Sequence, residues 1–282
     1  MHGDLRLTED LRQLAMDSVD LAPRLCGSCR NFHKLWPYHR LAGATGGDVT
    51  APLVCSVLGR LLSPGSRHIL IAGSADSGLL AVVARTASPG TAITVLDRCG
   101  TPLELCRRFA KRWSLTIDTV HLDVADLTAV SDYDVIFIHM LLQFIPLDRH
   151  LDILLRIRKA LKPEGRLVLV FRTRPRLVDK FGDEHRYDFS RRLIQELEAR
   201  NIPLPEPRES FQRDLEMYFE ERRAREQTHA ARADVEQLAT DAGFDIEEIE
   251  PIDSTIAKPF VQLAARRGLQ RFLMVAAAQR SA

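Results

Sequence analysis

The chain has 282 residues, of which 45% are hydrophobic and 27% charged, the balance of an ordinary globular protein with one large domain or two small ones. Its 39 Lys and Arg residues nearly balance 38 Asp and Glu residues, for a net charge of +1. This excludes a global electrostatic attraction to nucleic acid or to an anionic membrane. The charged first residues contain no apolar signal segment, and no apolar run has the length of a transmembrane helix. We therefore expect a cytoplasmic protein whose five cysteines are reduced.

Residues 1–50 are predicted to form a helical lid. Leu7, Leu11 and Leu14 recur at helical spacing, and residues 32–40 bring aromatic, histidine and arginine side chains close together. Such a segment can cover a ligand, or it can simply dock a helix against the edge of a sheet; both alternatives remain open. Under the first alternative, His33 and Tyr38 are candidate catalytic residues.

Cys26 and Cys29 form a single C-x-x-C pair with histidines nearby. A structural metal site has four ligands, usually two pairs separated by a longer spacer, and the sequence shows no second pair. We therefore expect small buried thiols here and no metal.

From residue 51 the pattern changes to short apolar runs that alternate with amphipathic helices. The runs lie at 68–72, 92–97, 119–124, 133–141 and 166–171. This alternation predicts a doubly wound, mostly parallel sheet with helices on both faces, in the α/β class. We assign residues 51–174 to this core.

Residues 175–232 interrupt the alternation with a charged, helical cap insertion. Its expected buried stripe consists of Phe211, Leu215, Tyr218 and Phe219. Residues 233–282 then return to the core with one helix and two closing strands, so that seven strands are expected in total.

This order of elements resembles the class I S-adenosylmethionine-dependent methyltransferase superfamily, in particular its small-molecule members. Four motifs support the resemblance: Asp97 at the end of the second strand, Asp123 in HLDVADL, LKPEGRLVLV before the fifth strand, and ATDAGFDIEEIEPI before the sixth. They cover roughly residues 66–172 and 233–279. In this family the last strand is inserted antiparallel.

The resemblance implies S-adenosyl-L-methionine as the cofactor, with Asp97 on the ribose hydroxyls and Asp123 near the adenine amino group. The full set of cofactor-binding residues it implies is Gly73, Ser74, Ala75, Asp76, Asp97, Arg98, Asp123, Val124 and His139. The implied reaction is methyl transfer to a small-molecule acceptor, with His139 as a candidate base and without a nucleic-acid or membrane partner. A homodimer is compatible with this interpretation.

The first loop departs from the family pattern, acid-x-Gly-x-Gly-x-Gly. Ile71 replaces the acid, Gly73 is kept, and Ala75 and Ser77 replace the next two glycines. Asp76 either substitutes for the acid or serves as a turn residue. The loop also lacks the G-x-G-x-x-G that a dinucleotide pyrophosphate requires, which argues against NAD.

Two other functions remain open alongside methyl transfer. One is a different displacement on the sulfonium, such as ring closure to azetidine-2-carboxylate with release of methylthioadenosine. The other is a non-catalytic binding subunit of the same fold. Arg172, Arg174 and Arg176, which alternate after the fifth strand, either hold an anionic group or are simply solvated.

Overall fold

The computed structural model describes residues 2–27, 29–43, 47–62, 67–174, 183–252 and 270–279. Three helices precede the sheet: α1 (His2–Leu25), α2 (Arg30–Leu41) and α3 (Gly47–Leu62). The strands are β1 (His68–Ala72), β2 (Ala92–Asp97), β3 (Asp118–His121), β4 (Tyr133–His139), β5 (Leu161–Thr173), β6 (Phe244–Pro251) and β7 (Gln270–Ala278). The remaining helices are α4 (Gly78–Thr86), α5 (Gly100–Arg112), α6 (His150–Ala160), α7 (Asp183–Ala199), α8 (Arg208–Arg225) and α9 (Arg232–Asp241).

The seven strands form one sheet in the order β3-β2-β1-β4-β5-β7-β6. β1 to β5 are parallel to their neighbours, whereas β7 runs antiparallel to both β5 and β6. This confirms the predicted fold class, including the antiparallel last strand. The order reverses between β1 and β4, the switch point beside which open α/β sheets bind their ligands.

Alternate side chains of each strand point to opposite faces and build two cores. In β1, Ile69 and Ile71 pack under α1, α3, α4 and α5, while Leu70 and Ala72 pack under α6 and α9. All four side chains have no exposed surface. The continuous apolar run of β1 in the sequence therefore reflects a strand buried on both faces.

A third cluster joins α2 to the two helices of the insertion, α7 and α8; we call these three helices the cap. Leu35 and Tyr38 of α2 pack against Leu193 of α7 and against Phe211 and Leu215 of α8. The predicted stripe of the insertion is thus buried against the N-terminal segment and not against the sheet.

Leu14 of α1 belongs to the main core. The structure differs from the expectations in two places. The third strand ends at His121, because Asp123 caps a short 3-10 turn, Val124–Asp126. No α-helix separates β3 from β4. None of the described helices is long and apolar enough to cross a membrane.

Candidate functional site

The carboxyl ends of β1, β2, β3 and β4 meet along one side of the sheet, which we call the ligand edge. Gly73 follows β1 there with φ of +80°, and its N–H donates to the carbonyl of Leu96 at 2.8 Å. A Cβ on Gly73 would lie 2.9 Å from Cδ1 of Leu141. Both the left-handed backbone and the close neighbour require glycine, so this motif position is fixed by the geometry of the turn.

Asp97 ends β2 at the centre of the ligand edge. Its Oδ2 accepts the N–H of Ser74 at 2.8 Å, and its Oδ1 accepts the N–H of Cys99 at 2.7 Å. Burial raises the pKa of this carboxyl, and the two backbone hydrogen bonds oppose the shift. A carboxylate has about four acceptor sites. Each oxygen of Asp97 can therefore accept a further hydroxyl, as two ribose hydroxyls require.

Asp123 and Arg98 form the outer rim of the same edge. Oδ1 of Asp123 accepts the N–H of Ala125 at 3.0 Å, while its Oδ2 lies 3.9 Å from Nη1 of Arg98. The two side chains are 40% and 56% exposed. Val124 beside them is buried. The rim thus combines an apolar floor with an accessible carboxylate, which suits the face and the amino group of a purine.

The carboxylate of Asp76 is held by hydrogen bonds from several groups of the protein. Its carboxylate accepts from Nη2 of Arg40 at 2.9 Å, from Nε1 of Trp36 at 2.8 Å and from the N–H of Gly78 at 2.7 Å. Burial alone would raise its pKa, but Arg40 and these hydrogen bonds lower it. The carboxylate caps the turn into α4 and anchors α2 over the first loop. Ile71, at the position of the family's acid, packs in the core.

Ser74 and Ala75 occupy the turn between Gly73 and Asp76, and both are half-buried. Oγ of Ser74 donates to the carbonyl of Asp76 at 2.5 Å. The side-chain hydroxyl therefore closes the turn, while the backbone of Ser74 is held by Asp97. All four predicted loop residues lie at the ligand edge.

His139 ends β4 on the other side of the switch point. Burial, and then the charge of Arg271, lowers the pKa of its imidazole to about 4. His139 is therefore neutral near pH 7 and a weak base. The next residue, Met140, has φ of +57°, and its N–H donates to the carbonyl of Val170 at 2.8 Å. A left-handed non-glycine residue costs about 1–3 kcal/mol and is typical of functional edges.

Of the two other candidate catalytic residues, Tyr38 lies in the cap and His33 lies beside Cys99, just after β2. Tyr38 is 2% exposed and packs edge-on against Phe211, with ring centroids 4.9 Å apart. His33 is 4% exposed and faces cysteines. The residues of α2 that do reach the first loop are Trp36 and Arg40. Their spacing of four places them on one helix face, which is the signal that the sequence offered.

Three cysteines and a histidine meet where α1, α2 and the end of β2 come together. One ligand atom from each of Cys26, Cys29, His33 and Cys99 lies within 4.8 Å of all the others; we call this group the thiol cluster. Hydrogen bonds from Cys26 and then Cys99 lower the pKa of Cys29. The expectation of no metal rested on the lack of a second ligand pair in the sequence. The fold brings Cys99 and His33 to Cys26 and Cys29.

Aromatic rings line the side of α2 that faces the ligand edge and α8. Phe32 stacks on Trp36 at 5.2 Å between centroids and also contacts Phe144 at 6.3 Å and Tyr218 at 6.0 Å; these four residues are the aromatic wall. His39 stacks on Trp36 at 6.1 Å. Among the described residues, Nε2 of His39 has no hydrogen-bond partner. Burial, followed by the charge of Arg222, lowers its pKa to about 3.

A group of buried charges lies at the carboxyl end of β5. Arg172 and Arg271 are direct cross-strand partners of β5 and β7. Arg172 and Arg222 both pair with Glu226, the latter through Nε at 2.7 Å. Burial lowers the pKa of Arg172 to about 10, although the charge of Glu226 opposes this. Two arginines thus share one carboxylate, with Arg271 beside them.

Arg174 is also near this group, and its N–H donates to the carbonyl of His229 at 3.0 Å. The third residue of the alternating series, Arg176, lies outside the described residues. The sequence left open whether these three arginines form an anion site or a solvated face. Of the three, Arg172 bears on this question, because its side chain is buried and so is not simply solvated.

Comparisons with known proteins agree with this geometry. A sequence model of the family described as "Methyltransferase domain" matches residues 69–165, about a third of the chain. No curated protein matches the sequence. Similar solved structures include the 1,6-didemethyltoxoflavin-N1-methyltransferase of Burkholderia thailandensis with bound 1,6-didemethyltoxoflavin and S-adenosylhomocysteine, at 15% identity and a TM-score of 0.52. The match covers 82% of this chain and 79% of that one.

Two further structures extend the range of activities among the neighbours. A putative sarcosine dimethylglycine methyltransferase from Galdieria sulphuraria has 13% identity and a TM-score of 0.56, with 82% and 85% of the two chains covered. The [4+2]-cyclase SpnF has 12% identity and a TM-score of 0.53, with 82% and 81% covered. At such identities the likeness establishes the fold.

Residues 69–165 therefore match a methyltransferase domain, and the chain has the fold of the class I S-adenosylmethionine-dependent methyltransferases. This confirms the resemblance that the strand-end acids and the last two strands indicated.

Proposed function

We propose that the protein binds S-adenosylmethionine at the ligand edge and transfers its methyl group to a small-molecule acceptor. The observation that carries the proposal is the position of Asp97, a half-buried carboxylate at the end of β2 whose oxygens each accept one backbone N–H and have capacity for a ribose hydroxyl. The adenine would lie on Val124 beside Asp123 and Arg98. The S-adenosylhomocysteine in the Burkholderia neighbour supports the same cofactor class.

The methionyl end of the cofactor would lie along Gly73, Ser74 and Ala75. Within residues 71–78 the only carboxylate, Asp76, is neutralised by Arg40. We therefore assign Asp76 a positioning role: it holds α2 over the loop and does not bind the ammonium directly. The backbone carbonyls of the loop are then the acceptors for that ammonium.

Methyl transfer is an in-line displacement at a cationic sulfonium, so that it depends mainly on positioning and on exclusion of water. The aromatic wall can provide both, because aromatic faces stabilise cations by about 0.5–2 kcal/mol each when water is excluded. His139 has too low a pKa to be an efficient base at neutral pH. Its role in this proposal is a neutral hydrogen-bond contact with the cofactor or the acceptor.

The acceptor pocket would lie between the aromatic wall and the end of β5, under the cap. The segment after α8 is fixed there by two backbone hydrogen bonds, from Gln227 to the carbonyl of Gln143 at 2.8 Å and from Arg174 to that of His229 at 3.0 Å. The pocket side carries more buried positive than negative charge, which favours an acceptor with a carboxylate or a phosphate.

Product analysis tests the reaction type. The enzyme is incubated with S-adenosylmethionine alone and with a small-molecule extract, and the adenosyl products are separated. Methyl transfer predicts S-adenosylhomocysteine that depends on the extract. Rapid methylthioadenosine formation from the cofactor alone would contradict methyl transfer and favour attack on the butyrate carbon, with ring closure to azetidine-2-carboxylate as the first candidate. No product under either condition, together with retained cofactor binding, would favour a binding subunit.

A further inference from the structure

The thiol cluster carries an inference that is independent of the methyl-transfer chemistry. We propose that Cys26, Cys29, His33 and Cys99 form a tetrahedral zinc site with a structural role. The four ligand atoms already lie within 4.8 Å of one another. In a tetrahedral site with Zn–S bonds of about 2.3 Å and Zn–N bonds of about 2.0 Å, ligand atoms lie about 3.5–3.8 Å apart.

Three of the contacts lie within about 0.5 Å of that spacing. Sγ of Cys26 lies 3.3 Å from Sγ of Cys99 and 3.2 Å from Nδ1 of His33, and Sγ of Cys99 lies 3.6 Å from the same nitrogen. Without a metal, three thiols at these distances exchange only weak S–H hydrogen bonds. A divalent cation that prefers thiolate and imidazole ligands would explain why Cys99, which follows β2, joins two cysteines that are distant from it in the sequence.

Local structure prepares each ligand for this role. Cys26 follows the last residue of α1, where the helix dipole favours a cation, and Cys29 caps the first turn of α2, where it favours a thiolate. His33 lies four residues after Cys29, on the same helix face. The hydroxyl of Thr101 contacts Sγ of Cys26 at 2.9 Å and supplies an outer hydrogen bond.

Four protein ligands leave no open coordination position, so that the ion would be structural and not catalytic. Its effect would reach the ligand edge through one residue, because the N–H of Cys99 donates to Asp97. The ion would therefore tie α1 and α2 to the end of β2 and hold the ribose carboxylate in place. Zinc, with its preference for thiolate and imidazole, is the metal that this ligand set favours.

Metal analysis of the full-length protein tests the site. The protein is purified without a metal-affinity step or added zinc, and zinc is measured per chain. We expect about one zinc per chain in the wild type and in the control Cys55→Ser, whose thiol lies on α3 outside the cluster. Cys29→Ser and Cys99→Ser should each lose at least about nine tenths of it.

Cobalt substitution of the wild type provides a measurement that does not depend on how the variants fold. Apo-protein titrated with Co²⁺ should develop thiolate-to-cobalt charge-transfer absorption that saturates at one ion per chain, and zinc should displace it. A wild type with neither bound zinc nor this absorption would overturn the proposal. Zinc retained in both cysteine variants, or a disulfide within the cluster revealed by thiol counting under denaturing conditions, would also overturn it.

Discussion

Arg172 of β5 and Arg271 of β7 lie directly opposite each other, an unfavourable arrangement of charge that indicates a functional role. Like charges directly opposite on a sheet destabilise it, yet Arg172 and Arg271 are direct partners. Burial lowers the pKa of both guanidinium groups, which shows how poorly water solvates them. A bound anionic group would relieve this repulsion.

Replacement of Arg271 should therefore increase the stability of the protein and decrease its activity. We expect Arg271→Met to raise the free energy of unfolding by about 0.5–1 kcal/mol and to lower turnover of the acceptor at least tenfold. Urea unfolding and initial-rate assays with the acceptor-containing extract measure the two effects. The control is Arg166→Met on β5, whose partner is the half-exposed Glu247. Destabilisation by Arg271→Met with unchanged turnover would assign this arginine a structural role.

His39 predicts how stability depends on pH. Its folded-state pKa of about 3 lies below the ordinary value of 6.5, because burial disfavours the imidazolium. The unfolded chain therefore binds more protons between these values, and stability that is fully present above pH 6.5 is lost as the pH falls toward 3. The loss from His39 alone is about 2 kcal/mol at pH 5.

Urea unfolding at pH 7.5 and pH 5 tests this dependence. His39→Gln should reduce the difference between the two free energies by about 2 kcal/mol, whereas the exposed His121→Gln should leave it unchanged. An equal pH dependence in the wild type and in His39→Gln would show that this histidine is not held neutral by burial.

At the scale of elements, the central contact is the one between α2 and the first loop. The Asp76 carboxylate accepts hydrogen bonds from the indole of Trp36 and from the guanidinium of Arg40, both on α2. The side chains of Arg40 and Asp76 are largely buried. The cap reaches the ligand edge through this contact, because α2 also packs against α7 and α8. α2 is therefore the link between the first loop and the helices of the insertion, α7 and α8.

Loss of the ion pair between Asp76 and Arg40 should lower the free energy of unfolding. Asp76→Asn leaves Arg40 buried beside a neutral partner and should lower the free energy of unfolding by about 3 kcal/mol. The exposed Asp126→Asn should change it by no more than about 0.5 kcal/mol. In Arg40→Met/Asp76→Asn, which lacks both charges, part of the loss should be recovered, as a double-mutant cycle in urea would show. Simple additivity of the two changes would contradict a coupled ion pair.

At the scale of the whole molecule, the sequence predicted the sheet and the ligand edge but not the contacts across them. Asp97 and Asp123 were assigned through the family resemblance, at the end of the second strand and just after the third, and parallel strands bring those ends together. The link from Trp36 to Asp76 and the meeting of Cys26 with Cys99, 73 residues apart, depend on how α1 and α2 dock. No local pattern encodes that docking. Trp36 and Arg40 contact the first loop for the same reason, and the catalytic roles assigned to Tyr38 and His33 stay predictions.

Cofactor binding also belongs to the scale of the whole molecule, because the proposed site combines the loop after β1, the end of β2 and the turn after β3. Isothermal titration calorimetry with S-adenosylhomocysteine measures it without knowledge of the acceptor. The wild type should bind one equivalent, and Asp97→Ala should lose about 1.5–3 kcal/mol of binding free energy, or tenfold to more than a hundredfold in Kd. The control Asp118→Ala, at the opposite end of β3, should bind as the wild type does. Unchanged affinity in Asp97→Ala, or tight binding of NADH by the wild type, would contradict the proposed cofactor site.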